Sequence, residues 1–242
     1  MRFQNQTGFD TNSQTNPQTI QIEDKAYLST YFSKVYLWMF VGLLLTAGVA
    51  HLFASSDQLM GYLMQNRMLF FGLLFGQLFL VGGLSLRIHK LSATAATALF
   101  LGYALLNGVT FSIFLLVYSA QSLATVFAIT AGTFAVMSII GFTTKQDLTS
   151  FGRILMMALI GILIASLVNF FMQNEMMYWI ISYIGVAVFV GLIAYDTQKL
   201  KAYAYLEDEE DRKKAAVLGA LTLYLDFVLL FQFLLRLFGS RD

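Results

Sequence analysis

Of the 242 residues, 58% are hydrophobic and only 12% are charged, against about 25% charged in ordinary soluble domains, so the chain carries more apolar surface than a soluble fold of this length can hide. A net charge of +1 without a basic stripe excludes a nucleic-acid partner, since nothing would neutralise a run of phosphates. With no cysteine, disulfides, thiolate metal sites and a cysteine nucleophile are excluded, and two histidines, His51 and His89, are too few for a histidine-built metal site.

Residues 1–26 are polar and rich in Gln, Asn and Thr, without the apolar core of a signal peptide. They read as a disordered cytoplasmic tail, which leaves targeting to the first span of a transmembrane domain over residues 27–242. A helix needs about 20 predominantly apolar residues to cross the hydrocarbon core. Seven runs qualify, at about 35–55, 68–87, 94–118, 122–142, 154–173, 177–196 and 215–238. The one proline, Pro17, lies in the tail, so no span carries a proline kink. The expected fold is therefore all-α: a polytopic membrane protein built as a seven-transmembrane-helix bundle.

In span 2, Gly72 and Gly76 stand at GxxxG spacing, a weak motif that reads as close helix packing. Polar residues inside the runs are Gln77 in span 2, Tyr103, Asn107 and Thr110 in span 3, Asn169 in span 5, and Gln232 and Arg236 in span 7. Interhelical hydrogen bonds account for them, with Arg236 snorkelling to the outer interface. Arg87 closes span 2 and either reaches a carboxylate on its own side of the bundle or snorkels to anionic lipid. Between spans 6 and 7 an acidic run, Glu207 to Asp211, is followed at once by Arg212, Lys213 and Lys214. It lacks the EF-hand pattern and its turn glycine, and reads as a solvated loop.

Of the 15 cationic residues, 12 fall on the side of the N-terminus and of loops 2–3, 4–5 and 6–7. Only Arg67, Arg236 and Arg241 fall on the other side. By the positive-inside rule the N-terminus is expected in the cytoplasm and the C-terminus outside.

Of the 14 carboxylates, only Asp196 and Asp226 sit in apolar runs. A lone carboxylate at the bilayer centre costs a few kcal/mol or more, so it needs a cavity or a partner. Asp196, at the end of span 6, also reads as an interfacial cap. Asp226 lies about 18 Å along the helix beyond Lys214 and has no such reading. The two lie on consecutive spans meeting at one face, so they can be neighbours, provided span 6 is shifted or tilted to match their depths. Two carboxylates in a low-dielectric site do not both ionise cheaply and titrate as a unit. One shared proton makes the pair a hydrogen bond between the last two spans. Without it the pair becomes a repelling anionic site, able to part the helices or accept a divalent cation through hard oxygen ligands.

Four segments carry a resemblance: Gly102-Tyr103-Ala104-Leu105-Leu106-Asn107-Gly108, Gly141-Phe142-Thr143-Thr144-Lys145-Gln146-Asp147-Leu148, Ala194-Tyr195-Asp196-Thr197-Gln198-Lys199 and Leu221-Thr222-Leu223-Tyr224-Leu225-Asp226-Phe227. From about residue 27 to the end the chain resembles the Bax inhibitor-1 family, also called the transmembrane Bax inhibitor motif family, and looks closest to its bacterial inner-membrane members. The resemblance implies a seven-helix bundle with the last helix central. It also implies a pH-sensitive calcium leak channel in which a di-aspartyl pair, here Asp196 and Asp226, is the pH sensor and the tentative calcium ligand set. An arginine pairing with the span-6 aspartate maps to Arg87. Where some members carry a glutamate in span 2, this chain has Gln77, so a third acidic ligand is missing.

The expected partners are thus the lipid bilayer, protons and calcium ions, with calcium the candidate permeant or bound ion, and no cofactor is expected. An alternative of another class is a membrane-protein interaction module that modulates a membrane protease such as FtsH, an association the family resemblance suggests, or a stress response, docking through the tail and loop 6–7. An intramembrane aspartyl protease fits poorly, because Leu223-Tyr224-Leu225-Asp226 is not Gly-x-Gly-Asp and no Pro-Ala-Leu motif exists. A retinal protein would need a Schiff-base lysine in span 7, and there is none between Ala215 and Phe238.

Overall fold

The computed structural model describes residues 17–87 and 90–240, with the backbone alone for residues 17–25, 70 and 84–87. Among these there are eight helices: α1 (Pro17–Ala54), α2 (Asp57–Gln65), α3 (Arg67–Arg87), α4 (Ala93–Val117), α5 (Ala120–Thr143), α6 (Thr149–Met172), α7 (Glu175–Ala204) and α8 (Glu209–Phe238). α1, α4, α5, α6, α7 and α8 are each long and apolar enough to cross a bilayer. α2 and α3 qualify together, across an 84° bend, which brings the count to as many as seven. The chain is an all-α polytopic membrane protein, as its composition requires.

Local chemistry sets the helix boundaries. The side chains of Ser56, Ser92, Ser119, Asn174 and Asp208 each accept a hydrogen bond from the backbone N–H three residues on, closing the first turn of α2, α4, α5, α7 and α8. Pro17 opens α1, where its missing N–H is not needed. This helix reaches back into the stretch expected as a disordered tail, and residues 1–16 lie outside the described residues. α6 ends on Gln173 in the left-handed conformation, φ 52°, which turns the chain into α7.

α8 occupies the centre. In its most apolar stretch 72% of the residues are buried, against 11% for α6. α1, α4, α5 and α7 all pack against it. Its far end is pinned to α5, where the Ser119 N–H donates to the Ser240 carbonyl at 3.2 Å and the Ser240 N–H to the Ser122 hydroxyl at 2.9 Å. Its near end is pinned to α4, whose Ala93 N–H donates to Glu210 Oε1 at 2.8 Å. α6 and α3 lie at the periphery, with rows of Leu, Ile, Met and Phe turned outward, which in a bilayer means lipid.

One expectation is corrected. A Cβ added at Gly72 or Gly76 would meet nothing within 4 Å, so this GxxxG pair makes no close helix contact. It stands on the outer helix α3, while the close approaches fall at Gly108, Gly141, Gly152, Gly185 and Gly219 on inner faces.

Candidate functional site

The last two helices, α7 and α8, run antiparallel. Leu200 packs at Gly219 near one end of the contact, and Phe189 stacks on Phe233, centroids 5.8 Å apart, toward the other. Between these contacts the carboxyl groups of Asp196 and Asp226 lie side by side, close enough to share a proton. The mismatch in depth expected from the sequence disappears because α7 does not stop at Asp196. It continues to Ala204, about 12 Å further.

The two environments differ. Asp226 is 4% exposed, and its Oδ2 receives no hydrogen bond from a donor among the described residues. Asp196 is half-buried. Among the described residues no N–H donor completes the pair, an arrangement that a shared proton can satisfy. The side chain of Arg87, the expected partner of Asp196, lies outside the described residues.

Glycines bring α5 and α6 against α7 at this level. A Cβ on Gly141 would overlap the Ala194 backbone, two residues before Asp196, and one on Gly152 would overlap the Tyr195 ring. One turn on, Thr197 lies 3.5 Å from the Ser138 hydroxyl of α5. Gln198 ties the α5–α6 loop to α7: its Oε1 accepts from the Leu148 N–H at 2.8 Å and its Nε2 donates to the Gln146 carbonyl at 2.7 Å. In the same loop the hydroxyl of Thr149, at 2.6 Å, and its N–H, at 2.9 Å, hold the Asp147 carboxyl below the usual carboxylate range.

About half a turn before Asp226, the Tyr224 hydroxyl sits in a buried knot. It accepts from Asn107 Nδ2 at 2.7 Å and lies 2.6 Å from Thr46 Oγ1, which is itself 3.0 Å from the Gly42 and Ala104 carbonyls. Its ring takes edge contacts from Phe100 and Tyr103. This knot joins α1, α4 and α8. Asn107 was expected to bond between helices and does so. Thr46 was not singled out, because a threonine in an apolar run ordinarily bonds back to its own helix, and only the partner across the interface reveals it.

Gln77, in place of a third acid, donates to the Leu106 carbonyl at 3.0 Å and to Thr110 Oγ1 at 3.2 Å on α4. Among the described residues no three His, Asp or Glu side chains converge on a point. The pair therefore supplies two carboxylates, short of the six to eight oxygens of a resident calcium, though sufficient to face a hydrated cation in passage. Arg236 lies over the rings of Tyr178 and Phe233, at 5.5 and 5.2 Å to the centroids.

A family model described as "Inhibitor of apoptosis-promoting Bax1" matches residues 28–242. The inner membrane protein YbhL of Escherichia coli (strain K12) is 52% identical over 223 residues, 91% of this chain and 95% of that protein. An uncharacterized protein of Deinococcus radiodurans is 46% identical over 214 residues, 88% of this chain and 91% of its own length. An uncharacterized membrane protein of Streptococcus pyogenes serotype M3 is 36% identical over 229 residues, 94% of this chain and all of its own length. None of these descriptions names a catalytic activity.

Proposed function

Since this chain belongs to the Bax inhibitor-1 family, we propose that it is a calcium-permeable leak pathway of the inner membrane, opened when the Asp196–Asp226 pair loses its shared proton. The observation that carries the reading is a buried carboxylate oxygen, Asp226 Oδ2, that no donor among the described residues satisfies while its carboxyl lies against a second carboxyl. With one proton the pair is a donor and an acceptor, and it joins α7 to α8. Without it, two like charges roughly 4 Å apart at an effective dielectric of about 20 repel by about 4 kcal/mol, more than an ordinary hydrogen bond at this level contributes. The helices then part or take up a cation, so flux rises with pH.

The test is calcium entry into dye-loaded liposomes over a pH series. Asp226→Asn keeps a permanent donor in the contact, and it is expected to hold flux near the closed level and to flatten its pH dependence. Asp196→Asn is expected to flatten it as well. A wild-type profile, a single titration changing flux by at most about tenfold per pH unit, retained in both variants ends the sensor reading. If the wild-type protein passes no calcium at any pH, the other reading stands: a module that regulates a membrane protease, favoured by the exposed charged first turn of α8.

We infer a cytoplasmic N-terminus and an external C-terminus from the 12 cations on the N-terminal side against 3 on the other. Fusions made after Ser240 should then give active alkaline phosphatase and dark green fluorescent protein in cells. The reverse pattern overturns the orientation.

A further inference from the structure

A groove of about 670 Å³ opens between α1, α4 and α8 at the end of the bundle that carries the α7–α8 loop. Two kinds of surface meet in it. Its wall along the helices is apolar, formed by Trp38, Leu101 and Val217. Its mouth is cationic, with Lys34 from α1 and Arg212 and Lys213 from α8. Among the described residues Glu209 is the one carboxylate lining it, and it is paired with Lys213 at 2.8 Å. α4 lines the groove without a charged residue, and its N-terminus at Ala93 is already satisfied by Glu210 and the Ser92 cap, so the cationic side chains alone face an incoming anion. Tyr31 closes the inner wall of the same groove at 7% exposure.

We propose that this groove is a binding site for one anionic phospholipid. Its phosphate sits between Lys34 and Arg212, and one acyl chain lies along Trp38 and Leu101. Charge complementarity selects an anionic head group, since Lys34 and Arg212 remain in the lining once Lys213 is paired with Glu209. The apolar wall continuing from the cationic mouth selects a lipid over a free anion. A basic pocket between transmembrane helices is the expected form of such a site.

The test uses the full-length protein, delipidated in a neutral detergent and examined by native mass spectrometry with added phosphatidylglycerol or phosphatidylcholine of identical acyl chains. The wild type is expected to retain one phosphatidylglycerol at least about tenfold more strongly than phosphatidylcholine. Lys34→Gln combined with Arg212→Gln should remove that preference. Lys145→Gln combined with Arg153→Gln, which removes equal charge away from the groove, should leave it unchanged. Millimolar inorganic phosphate should not displace the lipid. Equal retention of the two lipids, loss in the control variant, an unchanged Lys34/Arg212 variant that elutes as a folded monodisperse species, or displacement by phosphate would each overturn the assignment.

Discussion

Replacing Tyr224 with alanine is expected to lower the thermal midpoint of the detergent-solubilised protein by roughly 10 °C. Tyr224 is fully buried, and its ring is held by Phe100 and Tyr103 while its hydroxyl joins Asn107 of α4 to Thr46 of α1. Truncation removes the ring, leaves a void at the contact of three helices and strands the Asn107 amide, a combined cost of about 3–5 kcal/mol. Tyr224→Phe separates the parts. It keeps the ring and deletes only hydrogen bonds, which within membranes contribute about 0.6–1.7 kcal/mol each. Loss of stability in the phenylalanine variant equal to that in the alanine variant would show that the ring contributes nothing and that the packing account is wrong.

Gly141→Val is the second large effect. The added side chain would start inside the backbone of Ala194, a part of α7 that cannot rotate away as a flexible side chain does. Overpacking of this kind costs about 1–3 kcal/mol or more, a midpoint lower by about 5–10 °C. Gly132→Val is the matched control on the same helix. A Cβ there meets nothing within 4 Å, and the expected change is within about 0.5 kcal/mol. Because Ala194 precedes Asp196 by two residues, the Gly141 variant should also disturb the carboxyl pair, with calcium flux whose pH response differs from that of wild type. Equal midpoints for the two glycine variants would refute the tight α5–α7 contact.

Asp226 was legible from the sequence because a carboxylate inside an apolar run is costly enough to announce itself. Its contact with Asp196 was open, since the predicted end of span 6 at residue 196 placed that residue at the interface. Polar residues in the last turns of α7, Gln198, Lys199 and Lys201, ended the apolar run before the helix ended. Apolar periodicity reports how far lipid reaches and says little about how far hydrogen bonding continues. Spans were legible for the same reason, and the glycine contacts were not. Gly72 and Gly76 advertise a motif without touching a neighbour, while Gly141 and Gly152 form the tight contacts with no spacing to mark them. A glycine's meaning depends on which way its face turns, and these runs, apolar on every side, carry no periodicity to reveal it.

The anchoring of α8 at both ends has a mechanical corollary. A helix fastened to α5 through Ser119, Ser122 and Ser240 and to α4 through Glu210 behaves as a fixed axle. Any swing that separates the two carboxyls then belongs to α7, with α6 riding on it. α6 presents most of its surface to the surrounding hydrocarbon, so on that side such a swing trades one lipid contact for another, and the close Gly141–Ala194 contact with α5 is what it has to overcome.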